Sequence, residues 1–320
     1  MPTNVTAADL FCLDTDYSTT RLVTRETPII VNPPAAKFES VLTLLEGEGR
    51  KGEGGLRIHG YYKRSLPSKP LITIVTVVYN GVRHLEETIL SVVNQAYDNI
   101  EYIIIDGAST DGTLDILKQY DGKLDYWVSE RDNGIYYAMN KALEVSMGDW
   151  LLFLGSDDLL IADIKHIIET FFLDYSNMYY GDVVLEASNE AYDGKFTRYK
   201  LLRKNICHQS VFYPQRFYKE LKYNLQYLVA ADYALNLHLF GKYAKMCKYI
   251  PEAIAIFNDS GISSYTTDKA FRSDMFRLVG SSYPMIYKYI LYFFARLHYY
   301  IGRLFFKITE QNTTLKIRSQ

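Results

Sequence analysis

"LITIVTVVYN", residues 71–80, is the stretch that decides the fold, because nearly every residue in it is apolar or β-branched. A strand with one solvated face alternates apolar and polar residues, whereas a strand inside a parallel sheet is apolar on both faces. The stretch therefore predicts a buried strand of a parallel sheet, and its polar end places Tyr79 and Asn80 in the loop that follows.

Helices and strands alternate after this strand. Helical spacing in residues 81–99 predicts a buried stripe made of Leu85, Thr88, Ile89, Val92, Val93 and Ala96. The later segments are read as strand, short helix, strand, helix and strand: "IEYIIID" (100–106), "LDILKQY" (114–120), "DYWVSE" (125–130), "NGIYYAMNKALEVSMGD" (133–149) and "WLLFL" (150–154). The inward face of the longer helix is expected to carry Ile135, Ala138, Met139, Ala142 and Leu143. This alternation predicts a three-layer α/β/α domain with a mostly parallel sheet.

Composition limits the possible functions. The chain has 320 residues and a formal net charge of -2, which argues against a nucleic-acid-binding protein, since these are strongly basic. Its cysteines, Cys12, Cys207 and Cys247, are widely separated, so they suit a reducing compartment and form no metal-binding pattern. The first ten residues show no signal peptide. We therefore expect a cytoplasmic protein, or one bound to a membrane from its cytoplasmic side.

Residues 1–68 are interpreted as an irregular N-terminal extension. Gly47, Gly49 and Gly52 match the spacing G-x-G-x-x-G, but a dinucleotide site needs a helix directly after the glycines. More glycines and charges follow instead, so we expect a flexible turn region. The predicted organisation is this extension, a catalytic domain over 69–265 and a helical tail over 266–320.

Polar residues follow three of the predicted strands. They are Tyr79-Asn80, the segment from Asp106 to Ser109, and Ser156-Asp157-Asp158. Ligands of open α/β sheets bind at the carboxyl ends of the strands. These loops are therefore expected to converge on one site.

The adjacent carboxylates of Asp157 and Asp158 have two readings. Hard divalent cations such as Mg²⁺ and Mn²⁺ prefer oxygen ligands and often take only one or two from the protein. Alternatively, Ser156 or Asp157 caps a helix that begins near Leu159. The role of Asp106 also has two interpretations. Its carboxylate could accept a hydrogen bond from a nucleobase or a ribose, or it could close an Asx-turn at the end of the strand.

The ordered motifs resemble a known family. "ITIVTVVYNG", "IEYIIIDGASTDGT", "SERDNGIYYAMNKAL" and "GDWLLFLGSDD" are similar to those of family 2 glycosyltransferases with the GT-A fold, particularly bacterial members that build polysaccharides or lipid-linked oligosaccharides. The resemblance covers about residues 70–260. It implies an inverting, metal-dependent transfer of a sugar from a nucleoside-diphosphate sugar, with UDP as the expected nucleotide, to a glycan or lipid-linked acceptor.

The resemblance also implies roles on the donor side. The donor-binding residues are Thr76, Val78, Tyr79, Asn80, Asp106, Ser109, Asn140, Lys141 and Ser156. "GSDD" stands at the D-x-D signature, so Asp157 and Asp158 are expected to bind Mn²⁺ or Mg²⁺. Gly155 replaces the first acid, and Tyr137 stands where relatives often carry another acid.

On the acceptor side, "YLVAADYALNLHLF" matches the segment that supplies the catalytic base, which makes Asp232 the expected base. A plain helix N-cap at Asp232 is the alternative. His208 and Gln209 are matched as well and are expected to line the acceptor or phosphate side, although a lone histidine is more often structural. Asp132 is a weaker candidate for contact with the donor sugar, because a turn Asp before Asn-Gly is common.

The tail segment 285–308 is strongly apolar but is interrupted by Lys288, Arg296, Arg303 and Lys307, so it does not resemble a spanning helix. At about 100° per residue the four cations share one helical face. This predicts a helix on an anionic membrane surface, and a helix packed on the protein itself is the alternative.

Two other functions fit parts of the sequence. A sugar-phosphate nucleotidyltransferase would carry a Gly-rich basic loop after the first strand, where this chain has Tyr79, Asn80 and Gly81. An inactive membrane-associated scaffold would not need Asp106, Asp157 and Asp232 together.

Overall fold

The computed structural model describes residues 9–30, 32, 36–219, 222–259 and 266–293. The strands are β1 (Gly52–Gly54), β2 (Ile72–Val78), β3 (Ile100–Asp106), β4 (Tyr126–Ser129), β5 (Trp150–Phe153), β6 (Leu159–Leu160), β7 (Met178–Leu185), β8 (Ala191–Tyr192), β9 (Val211–Pro214) and β10 (Cys247–Phe257). The helices are α1 (Leu85–Val93), α2 (Thr113–Gln119), α3 (Ile135–Val145), α4 (Ile164–Phe171), α5 (Arg198–Leu201), α6 (Gln215–Tyr218), α7 (Ala231–Tyr243) and α8 (Lys269–Ser282).

The sheet has the strand order β1-β4-β3-β2-β5-β9-β7-β10-β6, and β8 pairs with β7 outside this path. Strands β4, β3, β2 and β5 are parallel neighbours, and β7 is parallel to β10. The pairings of β1, β9, β6 and β8 are antiparallel. A mostly parallel centre thus carries antiparallel additions, and the predicted GT-A-like α/β class is confirmed.

Side chains from the central strands feed two cores, one on each face of the sheet. In β3, Ile103 and Ile105 enter one core with helix α3, whereas Tyr102 and Ile104 enter the other with helix α1. This alternation explains why the strands are apolar at successive positions. The three predicted layers follow from it.

Two residues leave the predicted helix stripes. Ala96 lies beyond the end of α1 and is exposed, because the helix stops at Val93. Ile135 is 47% exposed, and the neighbouring Tyr136 is buried in its place at the start of α3. The stripe of α3 is therefore turned by one residue at its first position.

The N-terminal extension is built into the sheet. Gly52, Glu53 and Gly54 pair with Ser129, Val128 and Trp127 of β4, so the expectation of a flexible turn region there is wrong. No helix opens after the glycines, which agrees with the rejection of a dinucleotide fingerprint. The extension thus ends one edge of the sheet.

Buried charges fasten the extension to the domain. Arg57 forms an ion pair with Glu101, and both side chains are almost fully buried. Lys63 donates to the backbone oxygen of Asp98 in the domain over 3.3 Å, and to those of Arg21 and Ser18 in the extension over 2.6 and 3.2 Å. Burial lowers the pKa of Lys63 to about 8, an effect that nearby Asp125 opposes. Pairing makes such burial tolerable, because an unpaired buried charge costs several kcal/mol.

The C-terminal part packs on α7. Helix α8 is followed by helical residues 285–293, and Tyr287, Ile290 and Leu291 contact the core. Within the part of the chain that the structure describes, no helix combines the length and apolarity needed to cross a bilayer. The remainder of the predicted 285–308 segment lies outside the described residues.

Candidate active site

Three loops, at the carboxyl ends of β2, β3 and β4, are joined by hydrogen bonds. The Gly107 amide donates to the oxygen of Val78 over 2.9 Å, and the Asn80 amide donates to Oγ of Ser109 over 2.7 Å. The Glu130 amide donates to the oxygen of Asp106 over 3.0 Å. The predicted donor loops therefore converge on one edge of the sheet.

Asp106 closes its own loop. Its carboxylate accepts from the Ser109 amide over 3.1 Å, from the Ser109 hydroxyl, and from the Ser129 hydroxyl over 2.5 Å. Asp106 is fully buried in this arrangement. The Asx-type turn is thus present, and a carboxylate held this way has few lone pairs left for a ligand.

The other residues predicted around the base fall into two groups. Thr76 and Val78 are buried, and the Thr76 hydroxyl lies 3.0 Å from the hydroxyl of Tyr102, so it belongs to the core. Tyr79 is 68% exposed, and Asn80 is exposed with φ of 54°. A Cβ at Gly107 would lie 3.3 Å from the Tyr79 ring and 3.1 Å from Asp132. Of Thr76, Val78 and Tyr79, only Tyr79 therefore presents an exposed side chain at this edge of the sheet, beside Gly107.

The tandem aspartates have opposite environments. Asp157 is exposed, whereas Asp158 is 1% exposed. Oδ2 of Asp158 accepts from the Gly155 amide over 3.0 Å and from Nε2 of Gln209 over 2.9 Å. Oδ1 accepts from the Asn258 amide over 2.9 Å. Burial raises the pKa of Asp158 to about 6, with Asp157 adding to the rise.

The helix-cap alternative for these acids is excluded. Leu159 and Leu160 form β6, and the next helix starts at Ile164 with Asp163 as its cap. Ser156 instead lies beside the β2 loop, since a Cβ at Gly81 would be 3.6 Å from its hydroxyl. The backbone oxygens of Ser156 and Asp158 both accept from Thr88 of α1, over 3.0 and 2.9 Å.

Steric crowding explains why residue 155 is a glycine. A Cβ built at this position would overlap the carboxylate of Asp158. The inward turn of Asp158 therefore occupies the space that the missing acid of the D-x-D pattern would need.

Asp232 lies in the first turn of α7 and is 7% exposed. The residue at the helix N-cap is Ala230, so the cap alternative for Asp232 is wrong. Its Oδ1 accepts from the Tyr136 hydroxyl over 2.8 Å, and its Oδ2 accepts from Nδ2 of Asn205 over 2.7 Å.

The charge environment of Asp232 favours its ionised form. Burial alone would raise the pKa of Asp232, but the proximity of His208, whose Nδ1 is 3.6 Å from Oδ2, and then the bond from Tyr136 lower it overall. The carboxyl group is therefore ionised at neutral pH, as a proton acceptor must be.

His208 and Gln209 connect the two acids. They belong to a 3₁₀ turn, His208–Ser210, in which His208 faces Asp232 and Gln209 bonds to Asp158. His208 is partly exposed and Gln209 is buried. The acid at the end of β5 and the acid of α7 thus contact adjacent residues of one short segment.

The residues predicted from α3 are engaged with protein groups. Asn140 donates to the Tyr223 oxygen over 3.0 Å and accepts from the Tyr223 amide over 2.8 Å, so its amide holds the loop before α7. Lys141 forms an ion pair with Glu130 at 2.7 Å. Asp132 accepts from the Gly134 amide, and burial raises its pKa.

Two site residues were missed from the sequence. The helical pattern places Ile135 inward and therefore hides Tyr136, and nothing marks Asn205 except its position three residues before His208. Tyr137, which stands where relatives often carry an acid, is 36% exposed.

This geometry can supply few protein ligands to a divalent cation. Among the described residues, no three His, Cys, Asp or Glu side chains are grouped to hold a metal ion. The exposed carboxylate of Asp157 can supply one oxygen, which suits an ion whose other ligands are substrate phosphates and water.

Comparison with known proteins identifies a common origin for these loops. The family model described as Glycosyl transferase family 2 matches residues 73–240, slightly more than half of the chain. A PGL/p-HBAD biosynthesis glycosyltransferase of Mycobacterium tuberculosis is 34% identical over 211 residues, which cover 63% of this chain and 82% of the relative. A putative teichuronic acid biosynthesis glycosyltransferase of Bacillus subtilis, TuaG, is 43% identical over 93 residues, covering 28% of this chain and 37% of the relative.

Solved structures show the same fold at low identity. Staphylococcus aureus TarS 1-349 in complex with UDP superposes with a TM-score of 0.54 at 17% identity, covering 66% of this chain and 65% of that one. The mannosyltransferase PcManGT of Pyrobaculum calidifontis in complex with GDP-Man and Mn²⁺ gives a TM-score of 0.52 at 20% identity, covering 72% and 70%. This chain therefore spans slightly less than two thirds of the TarS chain.

Proposed function

The chain belongs to glycosyl transferase family 2 and is a glycosyltransferase, and from this premise we propose that it transfers a sugar with inversion from a nucleoside-diphosphate sugar, with UDP as the expected nucleotide. The proposed acceptor is a glycan or lipid-linked sugar in cell-surface polysaccharide synthesis, in line with the relatives named for PGL/p-HBAD and teichuronic acid biosynthesis. Membership of this family argues against the nucleotidyltransferase alternative.

The observation that carries the proposal is the buried carboxylate of Asp232, which lies 3.6 Å from His208, while the next residue, Gln209, bonds to Asp158 of the β5 loop. In the proposed step, the acceptor hydroxyl gives its proton to Asp232 while its oxygen bonds to the anomeric carbon. The bond from that carbon to the diphosphate oxygen breaks, and the nucleoside diphosphate leaves. One displacement inverts the anomeric centre.

Tyr136 and Asn205 orient the proposed base. Each donates to a different oxygen of Asp232, so the carboxylate cannot rotate freely. Asn205 is itself held, because its Oδ1 accepts from Asn236 over 3.0 Å. Tyr136 is stacked on Tyr223 with ring centroids 5.4 Å apart. A base fixed in this way needs little rearrangement before proton transfer.

On the donor side, we assign base stacking to Tyr79 and base or ribose contacts to Asn80. We propose that Asp106 and Ser109 chiefly hold the loop, and that Asp106 contacts the donor only through its remaining lone pairs. Support comes from the exposure of Tyr79 and from the hydrogen bonds that join the loops. Asp132 lies beside Gly107 and remains a candidate for contact with the sugar. Lys141 acts through its ion pair with Glu130.

We further propose that Asp157 alone contacts a divalent cation, Mn²⁺ or Mg²⁺. Asp157 is exposed at the end of β5, while the donors around Asp158 occupy both of its oxygens. Such an ion, when bound, neutralises charge on the departing diphosphate. Asp158 then shapes the loop that carries Asp157.

Nucleotide titration tests this function. Calorimetry with UDP, GDP and dTDP, with and without Mn²⁺, is expected to show metal-dependent binding of one nucleotide, and turnover of the matching sugar donor follows with a membrane extract as acceptor. Asp157→Asn should weaken the metal-dependent binding, with Asp163→Asn, the cap of α4, as a control at another exposed acid. Equal affinity of wild type and Asp157→Asn in Mn²⁺ removes the ligand role. No binding of any nucleotide removes the proposed function.

We also propose that the protein is peripheral on the inner face of a membrane, through the segment 285–308. In its described part, Met285, Ile286 and Tyr289 are 66%, 59% and 65% exposed. These positions share one face of the helix, opposite the residues that pack on the core. An apolar exposed face beside cations suits the headgroup region of an anionic leaflet.

A further inference from the structure

The first strand brings a lysine to the edge of the sheet where the proposed nucleotide-binding loops lie. Lys51 immediately precedes β1, and its amide donates to the oxygen of Ser129 over 2.7 Å. The pairing of Gly52 with Ser129 continues this contact along β4. The backbone of Lys51 is therefore placed by the sheet itself, although it lies outside the residues matched by the family model.

The Lys51 side chain reaches the loop after β3. Its ammonium donates to the backbone oxygens of Ala108 and Ser109, over 3.0 and 2.9 Å. A charged donor shared by two carbonyl groups makes a stronger contact than a neutral hydrogen bond. The two oxygens are thus directed toward the N-terminal extension.

This loop needs external support. Ala108 has φ of 62°, a left-handed conformation that is strained for a residue with a side chain. The same loop contains Asp106 and Ser109, and Ser109 bonds both to Asp106 and to the amide of Asn80. Any change in the Ala108–Ser109 backbone would move donor-binding groups on two strands.

A second contact brings the extension to the loop after β4. Glu130 is buried and accepts from the Gly47 amide over 3.1 Å and from Nε of Arg50 over 2.8 Å, on the same carboxylate that pairs with Lys141. The Arg131 amide donates to the oxygen of Glu48 over 3.2 Å. Residues 47–54 therefore hold the loops that follow β3 and β4.

We propose that residues 47–54 complete the nucleotide-donor site and that Lys51 is a positioning residue, which fixes the Asp106–Ser109 loop in the conformation that binds the nucleotide. This inference rests on the proposed function. Lys51 acts before chemistry, by reducing the rearrangement that the donor must induce, so it governs donor affinity and not the transfer step.

The test compares Lys51→Met and Lys51→Arg with wild type. Lys37→Met is the matched control, an exposed lysine of the same extension whose backbone lies beside Lys219 and not beside Ala108. Lys51→Met is expected to raise the nucleotide Kd and the donor KM about five-fold, with kcat within two-fold of wild type. Lys51→Arg, which also offers two N–H groups, is expected to restore most of the affinity.

Hydrogen exchange provides a readout that does not need a ligand. The amides of Ser109 and Thr110 are bonded to Asp106 and Asn80, and both are expected to exchange faster in Lys51→Met than in Lys37→Met. Unchanged exchange together with unchanged donor KM overturns the inference while leaving the function intact. A fall in kcat at constant KM also overturns it. Wild-type protein that binds no nucleotide overturns the proposed function and this inference with it.

Discussion

Nε2 of Gln209 donates a hydrogen bond of 2.9 Å to Oδ2 of Asp158, which turns one of two adjacent aspartates into the protein. Its neighbour Asp157 points to solvent at the same edge of the sheet. The repulsion between the two acids is therefore limited by hydrogen bonds on one of them. Asp158 therefore anchors the loop to the protein, and Asp157 is left as the proposed ligand of the divalent cation.

Asp158→Asn is expected to lower the free energy of unfolding by about 2 to 3 kcal/mol, because an amide nitrogen would face one of the three donors around this buried carboxylate. Asp157→Asn is the matched change at the exposed neighbour and should stay within about 0.5 kcal/mol of wild type. Urea unfolding at pH 7 measures both. Equal stability of the two variants would contradict the anchoring role.

Asp232→Asn is expected to reduce kcat by about 10²-fold or more and to leave nucleotide affinity unchanged, as for loss of a general base. Since the pKa of Asp232 is lowered, this group should not limit activity at or above the ordinary pKa of an aspartate. Tyr136→Phe removes a donor to Asp232, so the acidic limb of kcat/KM should move to higher pH.

Tyr137→Phe serves as the control for that series, because Tyr137 is the next residue of α3 and is partly exposed. It should keep the wild-type pH profile. A profile of Tyr136→Phe that matches wild type would show that the hydroxyl does not tune the base, and a wild-type rate for Asp232→Asn would remove this acid from the mechanism.

The fold could be predicted because its signals are local. Strands β2 and β3 are apolar on both faces, and the stripe of α1 recurs at helical spacing, so each element could be identified without knowing its neighbours. The strand β1 could not, since Gly-Glu-Gly has little strand propensity and is fixed by pairing with β4. Its structure depends on a partner about 75 residues away.

The site could be predicted only in outline, for the same reason. Asp157 and Asp158 are indistinguishable in sequence, and the donors that distinguish them, Gln209 and Asn258, are 51 and 100 residues away. Likewise, the sequence motif predicts that Asn140 binds the nucleotide-sugar donor, but its hydrogen-bond partner in the structure is the Tyr223 backbone, 83 residues away. Loops have no periodicity from which the direction of a side chain can be inferred.

The ion pairs of Glu130 predict a pH-dependent attachment of the extension. Burial alone would raise the pKa of Glu130, but Lys141 and Arg50 lower it overall. A lowered carboxyl pKa stabilises the folded state above the unfolded value of about 4.3, and this contribution is lost as the pH falls through the folded pKa. Glu130→Gln should therefore cost about 2 kcal/mol at pH 7 and much less below pH 4.

Urea midpoints of wild type and Glu130→Gln between pH 3 and 8 check this expectation. Glu144→Gln is a suitable control, because its pair with Lys222 at 2.8 Å is about one third exposed on both sides. A partly exposed ion pair contributes little to the free energy of unfolding. The urea midpoint of Glu144→Gln should therefore differ little from that of wild type at every pH. A constant difference for Glu130→Gln across the range would contradict the linkage.

If residues 285–308 bind a membrane, acidic substitutions on their exposed apolar face should weaken that binding. Ile286→Asp with Tyr289→Asp places two acids on the exposed apolar face, and should weaken partitioning onto phosphatidylglycerol vesicles by at least about ten-fold, since each buried side chain contributes about 1.5 to 3 kcal/mol. Leu173→Asp, at an apolar residue that is 85% exposed after α4, is the control and should bind as wild type does. Co-sedimentation with anionic and with neutral vesicles measures the effect. Equal sedimentation of the double variant and wild type would place the membrane contact elsewhere, and no sedimentation of wild type on anionic vesicles would remove the membrane from the proposal.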